Sequence, residues 1–155
     1  MVILFSKMIS LRSILLTSLL MLSLSSFATA ESGHLRVQLS GIDTDKGGRL
    51  RVALFRGEQG WPKLENATLL QQLAAGQSEI EVLFSDLPYA DDYAVEVHHD
   101  ENGNGKFDMR WLPYPRPKEG VGVSNNSSGF GHPSFDSARF SFSRSQQEIS
   151  IHMRY

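Results

Sequence analysis

Nine consecutive residues, 100–108, carry oxygen-bearing side chains at regular spacing. Such side chains stand at every second position, a glycine follows them, and a second carboxylate closes the segment. A tight loop can turn alternating oxygens inward around a hard cation, with glycine at its sharpest point. The spacing therefore predicts a Ca²⁺ loop. Its predicted ligands are the side chains of Asp100, Asn102, Asn104 and Asp108, together with the backbone carbonyl of Lys106.

This segment differs from the calcium loop that lies between two helices. Its first six residues match that pattern, but position twelve, where a bidentate Glu is expected, is Trp111. A further ligand must therefore come from water or from another carboxylate. Fewer charged ligands predict weak affinity, about 10⁻⁴ to 10⁻³ M. The candidates for the additional carboxylate are Glu101, Glu119, Asp91 and Asp92.

The same segment also fits a turn that holds no metal. Asn102-Gly103 and Asn104-Gly105 are turn-forming pairs, because Asn and Gly both tolerate positive φ. A simple hairpin, however, does not require carboxylates at both ends with oxygens at alternate positions between them. The calcium loop is the favoured interpretation, and the metal-free turn stays open.

Histidines and serines offer two catalytic alternatives. His98, His99 and His132 could join Asp100 in a transition-metal site, since imidazole suits zinc or copper. Adjacent residues of a strand point to opposite faces, so His98 and His99 cannot easily bind one ion. The chain contains no G-x-S-x-G motif. The candidates for a hydrolytic triad are Ser124, Ser134, His132 and Asp136.

The first thirty residues have the organisation of a secretory signal peptide. A basic start at Lys7 and Arg12 precedes an apolar run at 14–24, and Ala28-Thr29-Ala30 forms a cleavage box. We expect cleavage after Ala30 and a mature chain that is periplasmic or secreted. The apolar run is shorter than the roughly 20 residues that span a bilayer, so we expect no membrane span after cleavage.

The mature chain, 31–155, is one domain by its length and is mildly acidic. The full chain has 15 basic and 17 acidic residues; without Lys7 and Arg12, 13 basic residues remain and the formal charge is −4. No basic patch stands out, so nucleic acid is not an expected partner. The chain has no cysteine. Its stability must come from core packing, helped by any ion that binds the folded state.

Short segments that alternate between apolar and polar residues run through the mature chain. Alternation with period two predicts half-buried strands, and about seven of them predict an all-β fold with two antiparallel sheets, as in immunoglobulin-like sandwiches. The first two segments predict a hairpin, 64–73 a short helix or irregular crossing, and 109–136 a long loop-rich end. The strand-forming residues are Leu35, Val37 and Leu39; Leu50, Val52 and Leu54; Ile80, Val82 and Phe84; Tyr93, Val95 and Val97; Val121 and Val123; Phe140 and Phe142; and Ile149, Ile151 and Met153.

Four motifs in order resemble a known family. They are the His99–Asp108 segment, Pro117-Lys118-Glu119-Gly120, Gly122-Val123-Ser124-Asn125-Asn126, and Pro133-Ser134-Phe135. The chain, from about Leu35 to Tyr155, is similar to the bacterial exported family called domain of unknown function 2141. The resemblance implies a small secreted β-sandwich of transthyretin-like or carboxypeptidase-regulatory-like shape. It implies no activity.

Two classes of function follow from the residues. The first is a calcium-binding domain of the cell envelope that acts as a binding or accessory module. Its expected ligand is a carbohydrate or a protein. Its surface would include Trp111, Tyr114 and Phe130, since aromatic side chains on loops can stack on sugar rings or peptides; the same side chains could instead be lids over the sandwich. The alternative is a metal-dependent or Ser/His hydrolase that uses the loop-rich end.

Overall fold

The computed structural model describes residues 31–128 and 131–155, so the predicted signal peptide lies outside the described residues. Within 31–128 and 131–155, helix is confined to one short α-helix, α1 (Phe135–Ala138), and to 3₁₀ turns at Thr44–Lys46, Leu64–Asn66 and Ser124–Asn126. None of these segments has the length and apolarity that crossing a membrane requires. The strands of the described residues are β1 (Ser32–Ser40), β2 (Arg49–Arg56), β3 (Leu69–Ala74), β4 (Ile80–Pro88), β5 (Ala90–Asp100), β6 (Met109–Arg110), β7 (Arg116–Pro117), β8 (Gly120–Val123), β9 (Phe140–Phe142) and β10 (Glu148–His152).

The strands form two main sheets, which confirms the predicted all-β sandwich. The first sheet has the order β10-β1-β4, and the second has the order β3-β2-β5-β8, with β9 also paired to β5. Strands β6 and β7 form a separate two-residue ladder. Every pairing is antiparallel except that of β1 with β10, which is parallel. Parallel neighbours need a long connection, and here almost the whole domain lies between the two strands.

The inward faces of the two sheets form one hydrophobic core. Period-two alternation places Leu35 and Val37 of β1 against Val52 of β2 and Val95 of β5, all fully buried. Of the strand-forming residues named from the sequence, Ile80 and Val121 are half-buried, and Ile80 packs against the edge of the core. The remaining predicted core residues, all buried, are Leu39, Leu50, Leu54, Val82, Phe84, Tyr93, Val97, Phe140, Phe142, Ile149, Ile151 and Met153.

Two local predictions were wrong. The first two strands are not a hairpin, because β1 pairs with β10 and β4 while β2 pairs with β3 and β5. The connection at 41–48 carries the chain from one sheet to the other. The segment 64–73 is a 3₁₀ turn followed by the edge strand β3, whose side chains are half-buried or exposed. Only Leu73 of this edge strand packs against the core, and the strand's leucines stand at positions 69, 70 and 73, so the sequence shows no strict alternation.

The described residues of segment 107–138, which includes the predicted loop-rich stretch 109–136, lie over the outer face of the second sheet. Strand β5 is consequently buried on both faces from Tyr93 to Asp100. A small second core forms there, with Trp61 packed against its edge. Trp61 also donates a hydrogen bond from Nε1 to the Pro133 carbonyl at 3.0 Å, so it acts as a packing residue. The second core consists of Ala94, Val123, Phe135 and Ala138.

Candidate functional site

Asp100 is the last residue of β5 and the first residue of the predicted calcium loop. Asp100 is 1% exposed, and its Oδ2 accepts a hydrogen bond from the Gly105 backbone N–H at 3.0 Å. Its Oδ1 is buried and has no hydrogen-bond partner among the described residues. Within 31–128 and 131–155, Asp100 forms no salt bridge. A buried carboxylate with a free oxygen and no counter-charge is costly, which makes Asp100 the strongest sign of a cation at this place.

The other predicted side-chain ligands meet on Asp108. Its Oδ2 accepts hydrogen bonds from the Asn102 side-chain amide at 2.8 Å and from the Asn104 side-chain amide at 3.0 Å. These two hydrogen bonds stabilise the carboxylate and hold the pKa of Asp108 below its usual value. The loop closes on itself through Gly103 and Gly105, both at positive φ (70° and 72°), where glycine is favoured.

The side-chain amide oxygens of Asn102 and Asn104 accept hydrogen bonds from backbone N–H groups of the loop. Asn102 Oδ1 accepts from the Asn104 N–H at 2.9 Å, and Asn104 Oδ1 accepts from the Lys106 N–H at 2.7 Å. A cation beside Asp108 would replace the amide N–H groups and require both amides to turn their oxygens inward. The donor set of two carboxylates, two amide oxygens and a carbonyl is hard and all-oxygen, which suits calcium. In the part of the chain that the structure describes, no three His, Asp or Glu side chains cluster as a metal site.

The first half of the loop is anchored to strand β8 and to the 41–48 connection. The Glu101 N–H donates to Glu119 Oε1 at 3.2 Å, and the Gly120 N–H donates to Glu101 Oε1 at 3.1 Å. Lys46 forms a 3.0 Å salt bridge with Glu101 Oε2, which raises the pKa of Lys46 mainly through that hydrogen bond. The loop therefore has a fixed start even without an ion.

The second half is held from two sides. Arg51 donates to the Gly105 carbonyl at 2.8 Å, and the Lys118 N–H donates to the Asp108 carbonyl at 2.9 Å. The short β6–β7 ladder follows directly. Proline-rich sequence did not predict this ladder, although Pro117 tolerates it because the pairing lies at a strand edge.

The four additional carboxylates proposed as ligands fall into two groups. Glu101 and Glu119 lie beside the loop, but their oxygens already accept hydrogen bonds from, or form salt bridges with, other groups. Asp91 and Asp92 lie at the other end of β5, about 30 and 26 Å from Asp100 at roughly 3.3 Å per residue. The prediction that they could complete the loop was wrong, because a strand separates its two ends by its full length.

The three histidines considered as metal ligands have separate partners. His98 Nε2 lies 2.6 Å from Glu119 Oε2, and both side chains are buried. His99 points to the opposite face of β5, where it contacts the Tyr155 hydroxyl at 2.8 Å and the Gly47 carbonyl at 2.6 Å. The third histidine, His132, pairs with a different carboxylate, as described below.

The serines and the aspartate considered for a triad have backbone partners or surface positions. Ser124 is buried and donates to the Ala138 carbonyl at 2.6 Å, which joins β8 to the end of α1. Ser134 caps the start of α1 by accepting from the Ser137 N–H. Asp136 is exposed and lies 3.8 Å from Arg139. Their contacts in the described structure hold the local backbone or lie on the surface.

A cleft of about 520 Å³ adjoins the loop on the outer face of the second sheet. Phe107 and Met109, at and just after the end of the predicted calcium loop, form part of its wall, and Tyr114 lines it as well. Of the other aromatic residues named from the sequence, Trp111 is 69% exposed and outside the cleft lining. Phe130 lies outside the described residues.

Glu96 is the functional candidate that sequence reasoning missed. It lines the cleft, is 3% exposed, and has a buried Oε2 without a hydrogen-bond partner among the described residues. Its Oε1 lies 3.1 Å from Nε2 of His132. Burial lowers the pKa of His132, but the hydrogen bond and charge of Glu96 outweigh it, so the net pKa is raised. The sequence offered no distinguishing signal, because a charged residue between Val95 and Val97 occupies the ordinary outward position of an alternating strand.

Comparison with known proteins identifies the family and no activity. No curated protein and no solved structure matches the chain. The family described as "Uncharacterized protein conserved in bacteria (DUF2141)" matches residues 37–150, which is more than half of the chain. This protein therefore belongs to the DUF2141 family.

Proposed function

We propose that this protein is an exported calcium-binding β-sandwich that serves as a binding or accessory module of the cell envelope. The observation that carries the proposal is the carboxylate of Asp100, which is buried, has one oxygen without a partner, and opens a loop rich in side-chain oxygens. Calcium would supply the missing counter-charge. Export is supported by the predicted signal peptide at 1–30.

Calcium fits this loop better than magnesium does. Calcium accepts six to eight oxygen ligands in flexible geometry, whereas magnesium demands a near-ideal octahedron and keeps several waters. The chain offers five oxygens from a single short loop, and solvent can fill the remaining positions because Asn102 and Asn104 are exposed and Asp108 is half-buried. We expect weak binding, about 10⁻⁴ to 10⁻³ M, which suits an extracellular compartment.

A calcium titration of the mature protein tests the proposal. Wild type should melt at a higher temperature in millimolar calcium than in chelator, because an ion that binds only the folded state stabilises it. Magnesium at the same concentration should give a smaller increase. Asp100→Asn should abolish the calcium-dependent increase.

The matched control is Asp91→Asn, which removes an exposed carboxylate from the opposite end of the same strand. This variant should keep the full calcium response. Equal melting temperatures of wild type in calcium and in chelator would show that the loop is a metal-free turn.

A further inference from the structure

We propose that the cleft beside the calcium loop binds one ring of a saccharide, with Glu96 accepting hydrogen bonds from its hydroxyl groups. This inference rests on the proposed binding-module function and names its ligand class. The cleft, at about 520 Å³, has the size of small-molecule sites, which are roughly 300 to 1,000 Å³.

Glu96 supplies the polar anchor. One of its carboxylate oxygens pairs with His132 at 3.1 Å, which fixes the orientation of the group. The other oxygen is buried without a partner in the described structure. A buried acceptor of this kind is costly unless a donor reaches it. Glu96 lines the cleft, and because its free oxygen is screened from solvent, a ligand hydroxyl group reaches it once the neighbouring side chains shift.

The walls of the cleft suit the carbon face of a sugar ring. Phe107 and Tyr114 are 40% and 53% exposed, and prolines 115, 117 and 133 add further C–H surface. At the same cleft, Ser128 and Arg116 offer hydroxyl and guanidinium donors to ring oxygens. A sugar ring combines apolar C–H faces with hydroxyl groups that both donate and accept hydrogen bonds, so it matches both kinds of surface.

Other ligand classes fit less well. An extended peptide would need a free strand edge, but β8 is already paired there: Val121 and Arg154 exchange hydrogen bonds of 2.8 and 2.9 Å. A cationic ligand would meet Arg116, Arg154 and His132, which all line the same cleft. A purely apolar ligand would leave the free oxygen of Glu96 without a donor. A neutral polyhydroxyl ring avoids all three difficulties.

Ligand-detected NMR on the mature protein in calcium tests the proposal. The probes are glucose, galactose, mannose, N-acetylglucosamine and their β-1,4-linked trimers, so that free sugars and glycan residues are compared directly. We expect saturation transfer from the protein to at least one probe. Glu96→Gln should weaken that binding by about tenfold, the loss expected for a hydrogen bond to a charged group.

Two pairs of variants separate the cleft from general effects. Tyr114→Ala should weaken saccharide binding about fivefold to tenfold through loss of ring contact. Trp111→Ala removes a more exposed aromatic residue of the same segment that does not line the cleft, and should leave binding unchanged. Glu79→Gln, at an exposed carboxylate, controls for the charge change of Glu96→Gln. Tyr114 is exposed, so its variant tests the site even if Glu96→Gln does not fold.

The outcomes separate this inference from the calcium proposal. Absence of saturation transfer to every saccharide probe overturns the saccharide site, as does binding that both Glu96→Gln and Tyr114→Ala leave intact. If an unrelated peptide or alkylamine probe binds, and the same two variants lose that binding, the ligand of the cleft belongs to that class and is not a saccharide. Repeating the saccharide titration in chelator tests the loop separately. If the saccharide binds in chelator and calcium does not change the melting temperature, the saccharide site is retained and the calcium loop is rejected.

Discussion

Glu96 and Asp100 lie on the same outward face of β5, and each is a buried carboxylate with one unpartnered oxygen in the described structure. Their backbones are about 13 Å apart at roughly 3.3 Å per residue. One carboxylate opens the proposed calcium loop and the other lines the cleft. Buried oxygens without a hydrogen-bond donor destabilise a fold, so two of them on one strand face point to groups that complete them from outside.

Asp100→Asn should not destabilise the calcium-free protein. An Asn side chain keeps an oxygen that can accept from the Gly105 N–H and removes the buried charge, so we expect a gain of about 0.5–2 kcal/mol in the free energy of unfolding. Urea unfolding in chelator measures it. Asp91→Asn, at an exposed position, should change stability by less than about 0.5 kcal/mol. A marked loss for Asp100→Asn in chelator would contradict the idea of an uncompensated charge.

Gly48→Ala should destabilise the start of the loop. Gly48 has φ +69, and an added Cβ would press against the Asp100 carbonyl and lie 2.8 Å from Glu101 Cα. We expect a loss of about 2–4 kcal/mol from combined backbone strain and steric overlap. Gly47→Ala is the matched control, because Gly47 also has positive φ (+63) but nothing lies within 4 Å of its added Cβ. Thermal melts that show equal losses for both variants would rule out the overlap.

Glu119→Ala should lower both the free energy of unfolding and the calcium affinity of the proposed loop. Glu119 pairs with buried His98 through one oxygen and accepts from the Glu101 N–H through the other. Losing both contacts should cost about 1–3 kcal/mol and should weaken calcium binding, measured by calorimetry. Glu148→Ala removes a half-exposed carboxylate 3.8 Å from Arg36 and should have an effect below about 0.5 kcal/mol. Unchanged calcium affinity in Glu119→Ala would separate the loop from this anchor.

His132 should make stability depend on pH in a defined direction. Its folded pKa is raised above 6.5 because Glu96 outweighs burial. The pair therefore stabilises the fold fully below pH of about 6.5, and the contribution disappears as pH rises through the folded pKa. The stability difference between wild type and His132→Gln should shrink over that range in urea melts. His34→Gln, at an exposed position, should show no such trend; a difference that grows with pH would reverse the assignment.

Expression of the full chain in a bacterial host tests the predicted export signal. Intact mass and N-terminal sequencing should give a mature protein that begins at Glu31, recovered outside the cytoplasm, because the Ala28-Thr29-Ala30 box precedes that residue. Ala30→Pro, which blocks cleavage at this box, should leave an uncleaved chain in the membrane fraction. A full-length wild-type chain in the cytoplasm would refute the signal peptide.

The sequence by itself determined which side chains face the core and where the oxygen-rich loop lies. Alternation with period two marks one face of a strand, as in Leu35 and Val37, because burial acts on side chains and side chains differ. It did not determine strand neighbours. Every residue except proline offers the same backbone N–H and C=O groups, so nothing local shows that β1 pairs with distant β10 instead of with β2.

Only the tertiary structure decided that the outer face of β5 is buried. In the sequence, Glu96, His98 and Asp100 look like the solvent side of a half-buried strand. Folding places the described residues of segment 107–138 over them, which removes water from three ionisable groups and creates both the His98–Glu119 pair and the cleft at Glu96. Burial of a polar face depends on contacts between residues far apart in the chain, and period-two alternation contains no information about those contacts.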